Sequence, residues 1–141
     1  MKRSLYMSLP VIWFSCLTIF LLLIAVAFGG DAPADPKKHT SLGKYVTAAE
    51  AYEMWKADQQ KVKVLDVKTP EEYDFVGHAP MAVNIPSEPW SGQWNAEKKA
   101  FALVSNPDFE AQVKARFKPD EPILVMCRLG QRSAAAVERL E

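Results

Sequence analysis

The sequence predicts an α/β domain around a mainly parallel sheet, preceded by an N-terminal hydrophobic helix. Three observations carry this. Val62–Val67 (VKVLDV) and Pro122–Met126 (PILVM) are β-rich runs dominated by apolar residues, the pattern of strands buried on both faces. Helix-start signatures fall between such runs, so strands and helices alternate along the chain. Finally, 141 residues with 49% hydrophobic and 24% charged side chains suit one small folded domain and exclude a disordered chain.

The first element is Leu9–Phe28, twenty residues without a charge, preceded by Lys2 and Arg3. Residues 1–30 match a secretory signal, with small residues at Ala25-Val26-Ala27 ahead of Gly29-Gly30. Signal cores usually run about 7–15 residues, whereas about 20 cross a bilayer, so a retained membrane anchor is the rival. Lys37 and Lys38 on the far side balance Lys2 and Arg3, and charge does not decide between them. The Ala-Val-Ala site favours cleavage. Either way the folded part is expected to be exported to the bacterial periplasm, soluble or anchored to the inner membrane. Cys16 reads as one more apolar residue of this stretch.

Residues 31–43 open with the Pro-rich, polar run DAPADPKK and read as a linker; the domain then occupies 44–141. Lys44-Tyr45-Val46 forms a short strand in this reading. Thr47 and Glu50 have capping-box spacing, and Ala48, Ala51, Tyr52 and Trp55 follow at helical intervals, predicting a helix over 48–58. After the Val62–Val67 strand, Thr69 caps a short helix that opens on Pro70. Ala82–Ile85 reads as a short strand ended by Pro86. Ser87–Ala100, with Pro89, Trp90, Gly92 and Trp94, has the composition of an ordered surface loop. Asn106-Pro107 starts a helix through Phe117, with Phe109, Val113 and Phe117 on one face. A last helix spans Ser133–Leu140, beyond the Pro122–Met126 strand and the Cys127–Gln131 loop.

Charge and cysteine counts narrow the function. Seventeen basic residues balance seventeen acidic ones, which gives no electrostatic footprint for nucleic acid. Two of the basic residues lie in the leader, so Asp31 onward holds 15 basic and 17 acidic residues, a net charge of −2. Two cysteines cannot form a disulfide framework, and so few His and Cys make a metal site improbable.

The chemistry concentrates at Cys127. It ends a buried strand, a glycine-containing loop follows, and a helix begins near Arg132-Ser133. Ligands of parallel α/β sheets bind at the carboxyl ends of strands, and loop amides with a helix N-terminus favour anions. A thiol placed there between Arg128 and Arg132 should have a depressed pKa. A buried structural cysteine is the bland alternative; Gly130 and the two arginines weigh against it.

The Cys127-Arg128-Leu129-Gly130-Gln131-Arg132-Ser133 run resembles the C-x-x-G-x-R-S active-site loop of rhodanese-like sulfurtransferases. Leu65–Tyr73 (LDVKTPEEY) and Gly77–Pro86 (GHAPMAVNIP) are similar to the family's D-V-R-x-x-x-E-[YF] and G-H-I-x-G-A-x-N-I-P signatures, in family order. The resemblance implies a three-layer fold and a sulfurtransferase without metal or organic cofactor. Cys127 would take a sulfane sulfur from thiosulfate or a persulfide donor and hold it as a persulfide. A thiophilic acceptor, such as cyanide, a thiol or a protein sulfur acceptor, would then remove it. Arg128, Leu129, Gly130, Gln131, Arg132 and Ser133 would form the substrate-binding cradle. Asp66 and His78 would support it, although a local turn or cap bond accounts for Asp66 equally well. For Arg128 a solvated surface charge stays open, and for Trp90 and Trp94 both lining the pocket mouth and packing under their loop.

The chain departs from the family pattern at Lys68, in place of Arg, and at Ala79 and Met81, in place of Ile and Gly. It also stops at Glu141, midway through the helix after the loop, where family members continue with a strand and a helix. The expectation is an incomplete chain lacking its last strand and helix. Two other functions compete: a non-catalytic sulfur-carrier or thiol-sensing module at the membrane, and a cysteine-dependent phosphatase or arsenate reductase. The latter resemble C-x5-R, whereas Cys127 and Arg132 are spaced C-x4-R.

Overall fold

The computed structural model describes residues 29–141; the leader, with Cys16, lies outside the described residues. No helix among the described residues is long and apolar enough to cross a membrane. The sheet is parallel, in the order β2-β1-β5, with β1 at Lys63–Asp66, β2 at Val83–Asn84 and β5 at Ile123–Met126. Leu65 faces Val83 and Val125 in register, and Asp66 faces Asn84 and Met126. Both runs read as buried strands are therefore adjacent, and both end at the same edge.

Among the described residues the α-helices are α1 (Ala48–Ala57), α2 (Pro70–Val76), α3 (Phe109–Arg116) and α4 (Gln131–Leu140). Capping boxes start the first two. Thr47 Oγ1 accepts from the Glu50 N–H while Glu50 Oε2 accepts from the Thr47 N–H. Thr69 and Glu72 do the same for α2. Each box satisfies two of the otherwise orphaned N-terminal donors. Alternate strand residues point to one face, where Leu65, Val67 and Ile85 meet Phe109, Val113 and Phe117 and, from α4, Ala136. Arg139 fastens α4 to α3 through Glu110 (2.7 Å) and lies over the Phe109 ring.

Three differences from the sequence reading have local causes. Lys44–Val46 is not a strand: among the described residues its backbone meets only the Gly30 N–H, which donates to the Tyr45 carbonyl. Ser87–Ala100 is not a loop. Trp90–Asn95 (β3) and Ala100–Leu103 (β4) form an antiparallel hairpin with a register shift between Trp90 and Trp94. Gly92, at φ 78°, takes a left-handed conformation in that irregular stretch. The turn at 96–99 is held by the Asn95 side chain accepting from the Lys98 N–H. The third helix starts at Phe109 rather than Asn106. The Asn106 side chain is committed to the Pro86 carbonyl and the Asp108 N–H, forming a turn before the helix.

Residues 31–43, read as a linker, carry a short 3-10 turn at Pro36–Lys38, capped by Asp35. This segment lies along α4. Asp35 accepts from Gln131 Nε2 (3.2 Å), and the Ser41 N–H donates to Glu138 (2.6 Å).

Candidate active site

Cys127 follows the last residue of β5, and its thiol sits inside the turn that leads into α4. The turn closes because Gly130 adopts φ 94°, which side chains strongly resist. A Cβ there would also meet the Lys38 side chain at 3.1 Å. With the chain so folded, Cys127 Sγ accepts from the Gly130 N–H (3.1 Å) and the Ser133 N–H (3.4 Å). The Ser133 hydroxyl lies 3.6 Å away and donates to the Gly130 carbonyl at 2.9 Å. Helix α4 begins at Gln131, two residues before the expected Ser133, so its first turn points N–H groups at the sulfur.

Burial pushes the Cys127 thiol up, but the Ser133 hydroxyl and the Ser133, Gly130 and Leu129 N–H groups outweigh it, and its pKa is lowered. The direction matches the sequence expectation and the cause does not. The donors that favour thiolate belong to the loop rather than to the arginines. Ser133 contributes twice, through backbone and hydroxyl.

Arg132 is already occupied. Its guanidinium binds the Glu72 carboxylate in a two-pronged pair, 2.6 and 2.9 Å, with both side chains 15% exposed. Burial alone would raise the Glu72 carboxyl; the Arg132 bonds, the Thr69 N–H and the charges of Arg132 and Arg128 bring it below its ordinary value. Glu72 thus joins the caps of α2 and the start of α4. Sequence reasoning quoted it within the LDVKTPEEY run and gave it no part in the site, although its place three residues after Thr69 marked the capping role. Arg128 is exposed and makes no ion pair among the described residues. Leu129 is 69% exposed and Gln131 is turned to Asp35.

The supporting residues lie one layer away. Asp66 is fully buried, accepting from the Lys68 N–H (3.1 Å) and pairing with Lys68 Nζ (3.1 Å). Lys68 Nζ also donates to the Gly77 carbonyl at 2.6 Å, which ties the end of β1 to the end of α2. The local turn bond and the longer-range brace therefore coexist. His78 is exposed, stacks on Tyr73 with ring centroids 3.6 Å apart, and bonds the Tyr73 carbonyl through Nδ1. It orders its own loop.

The mouth beside the cysteine loop is a cleft of about 530 Å³. Arg128, Arg132, Glu71 and Glu72 occupy its polar end, and Trp90, Trp94 and Phe101 its hairpin wall. Trp90 and Trp94 each pack on Phe101, at 5.0 and 5.3 Å, and both stay open to the cleft. They line the mouth. No cluster of His, Cys, Asp and Glu suited to a metal ion occurs among the described residues.

The family model for the rhodanese-like domain matches residues 47–141, a range that contains Cys127 and its loop. The chain belongs to the rhodanese-like domain family. It is 37% identical over 78 residues to "Thiosulfate sulfurtransferase 16, chloroplastic" of Arabidopsis thaliana, covering 55% of this chain and 58% of that protein. It is 34% identical over 82 residues to "Senescence-associated protein DIN1" of Raphanus sativus, covering 58% of this chain and 40% of that protein. The matches thus span less than two thirds of either relative. Within the rhodanese-like domain, LDVKTPEEY reaches the Cys127–Ser133 loop through Glu72, which pairs with Arg132, whereas Asp66 and the Asn84 of GHAPMAVNIP hold the turn after β1. Asn84 Nδ2 donates to the carbonyls of Asp66 and Lys68, joining β2 to the turn after β1.

Proposed function

We propose that the protein is a rhodanese-type sulfurtransferase that carries a sulfane sulfur as a persulfide on Cys127. The observation that carries this is the set of hydrogen-bond donors converging on Cys127 Sγ at the carboxyl end of the parallel sheet. The thiolate attacks the outer sulfur of thiosulfate; the S–S bond of the donor breaks and sulfite leaves with its electron pair. The same N–H groups that favour thiolate can hold the negative terminal sulfur of the persulfide. A thiophilic acceptor then attacks that sulfur and restores the thiolate. Arg128 contributes positive charge at the entrance, and Arg132, clamped by Glu72, fixes the loop's orientation. The name of the Arabidopsis relative supports the reaction class.

The test is thiocyanate formation from thiosulfate and cyanide. Wild-type protein should turn over, and Cys127→Ser should lose activity by at least about a thousandfold, as removal of a covalent nucleophile does. Equal rates sink the proposal. Mass spectrometry of protein treated with thiosulfate should show a gain of about 32 Da, one sulfur atom, on Cys127 and none in Cys127→Ser. The uncharged Leu9–Phe28 stretch behind Lys2 and Arg3 supports export, with the reaction taking place outside the cytoplasm. N-terminal sequencing of the mature protein distinguishes cleavage after Ala27 from a retained anchor.

A further inference from the structure

The segment before the domain is fastened to α4 at two points. Asp35 Oδ2 accepts from Gln131 Nε2 (3.2 Å) in the first turn of the helix, and the Ser41 N–H donates to Glu138 (2.6 Å) further along it. Between these points the chain is drawn into its 3-10 turn, with the Lys37 N–H on Asp35 Oδ1 (3.0 Å) and the Lys38 N–H on the Asp35 carbonyl (3.0 Å). Lys38 is thereby set over the cysteine loop. Its Cδ, Cγ and Cε lie 3.1, 3.5 and 3.7 Å from the place a Cβ of Gly130 would take. The contact is made by the methylene stem rather than by the ammonium. Gly130 is also the residue whose N–H donates to Cys127 Sγ at 3.1 Å. Glycine takes positive and negative φ with similar ease, so no side chain of its own holds Gly130 at φ 94°. The lysine stem packed on it supplies that restraint.

We propose that Lys38 is a positioning residue for sulfur transfer: its stem, clamped between the Asp35–Gln131 and Ser41–Glu138 bonds, keeps the Gly130 N–H aimed at the Cys127 sulfur. This rests on the sulfurtransferase reading and adds to it a residue that precedes the family match at 47–141. Lys38 acts through Gly130 and touches no reacting atom. The thiolate and then the terminal sulfur of the persulfide call on the same N–H, and a donor fixed in advance needs no rearrangement as sulfur arrives and leaves. A lysine suits the place, because its methylenes cover the loop backbone while its ammonium stays in water.

The experiment compares Lys38→Ala, which removes the stem, with Lys38→Met, which keeps an unbranched stem without the charge. Lys37→Ala is the control, since it removes an exposed charge from the same turn. In Lys38→Ala, kcat/KM for thiosulfate at neutral pH should fall on the order of tenfold, as displaced catalytic groups do. The acid limb of its pH profile and the midpoint of Cys127 alkylation by iodoacetamide should both move to higher pH. Lys38→Met should recover most of the rate and the wild-type midpoint, and Lys37→Ala should match wild type in both. An unchanged midpoint and rate in Lys38→Ala overturn the proposal and leave sulfur transfer through Cys127 standing. So does a Lys38→Met protein as impaired as Lys38→Ala, which would assign the effect to charge. Absence of Cys127-dependent turnover in the wild type removes the sulfurtransferase reading itself, and the positioning role with it.

Discussion

At the scale of single residues, the Ser133 hydroxyl is the informative group, because its one hydrogen can point two ways. With Cys127 protonated, the hydroxyl donates to the Gly130 carbonyl, as the 2.9 Å contact shows. With the thiolate, the same hydrogen can turn to sulfur, 3.6 Å away. A depressed thiol pKa means that alkylation by iodoacetamide rises with pH through a midpoint below that of an ordinary thiol. Ser133→Ala removes one donor that favours the charged form, so its midpoint should move up. A midpoint that stays put or moves down contradicts this account. Gly130→Ala tests the turn. It places a side chain at φ 94° and against Lys38, and thermal denaturation should show a loss of about 1–2 kcal/mol. Much of this site was legible in the sequence, since Cys127, Gly130 and Ser133 sit in one short run. The source of the thiol's lowered pKa was not, because sequence proximity of Arg128 and Arg132 says nothing about where a guanidinium is held.

At the scale of elements, Glu72 connects α2 and α4 across 60 positions of sequence. Removing one partner of a pair this shielded leaves a charge without its counterpart; a fully buried pair costs about 3–5 kcal/mol to break, and 15% exposure reduces that. Glu72→Gln should therefore cost roughly 2 kcal/mol at neutral pH, read by urea denaturation. The sign with pH follows from the lowered carboxyl pKa. The pair contributes fully above the unfolded carboxyl pKa of about 4.3, and its contribution is lost as pH falls through the lower folded value. Wild type and Glu72→Gln should thus converge in stability in acid below that value; a gap that persists or widens there refutes the assignment. Strands and helices with strong local signals appear where the sequence puts them: the capping box of α1, the Thr69 cap and Pro70 start of α2, and the apolar runs of β1 and β5. The hairpin was missed for a physical reason. Trp90, Ser91, Gly92, Gln93 and Trp94 lack clean alternation, and the register shift within β3 breaks the period-two pattern that reveals a strand. Its pairing is settled across the hairpin by Trp94 opposite Phe101, a contact invisible along the chain.

At the scale of the whole molecule, the core and the segment leading into the domain converge on α4. Phe109 is fully buried at the centre of the cluster, where residues of β1, α3 and α4 meet, so Phe109→Ala should cost about 3–5 kcal/mol in a denaturant titration. From the opposite direction, Asp35, Lys38 and Ser41 run along the helix that starts at the cysteine loop. Asp35 holds Gln131, the Lys38 stem lies against Gly130, and Ser41 bonds Glu138 and Glu141. A Pro-rich, polar stretch reads as a free linker by composition, yet its side chains find partners about 95–100 positions away. Proteolysis separates the two descriptions, because trypsin requires an extended, locally unfolded substrate. Cleavage after Lys38 should be at least about tenfold slower in the native protein than in urea-unfolded chain. The Asp35→Ala, Ser41→Ala double substitution, which removes the bond to Gln131 and the Ser41 hydroxyl's bonds to Glu138 and Glu141, should speed native cleavage several-fold while leaving the unfolded rate alone. Equal native and unfolded rates in the wild type would mean that the segment hangs free, and that the cysteine loop takes no support from the residues before the domain.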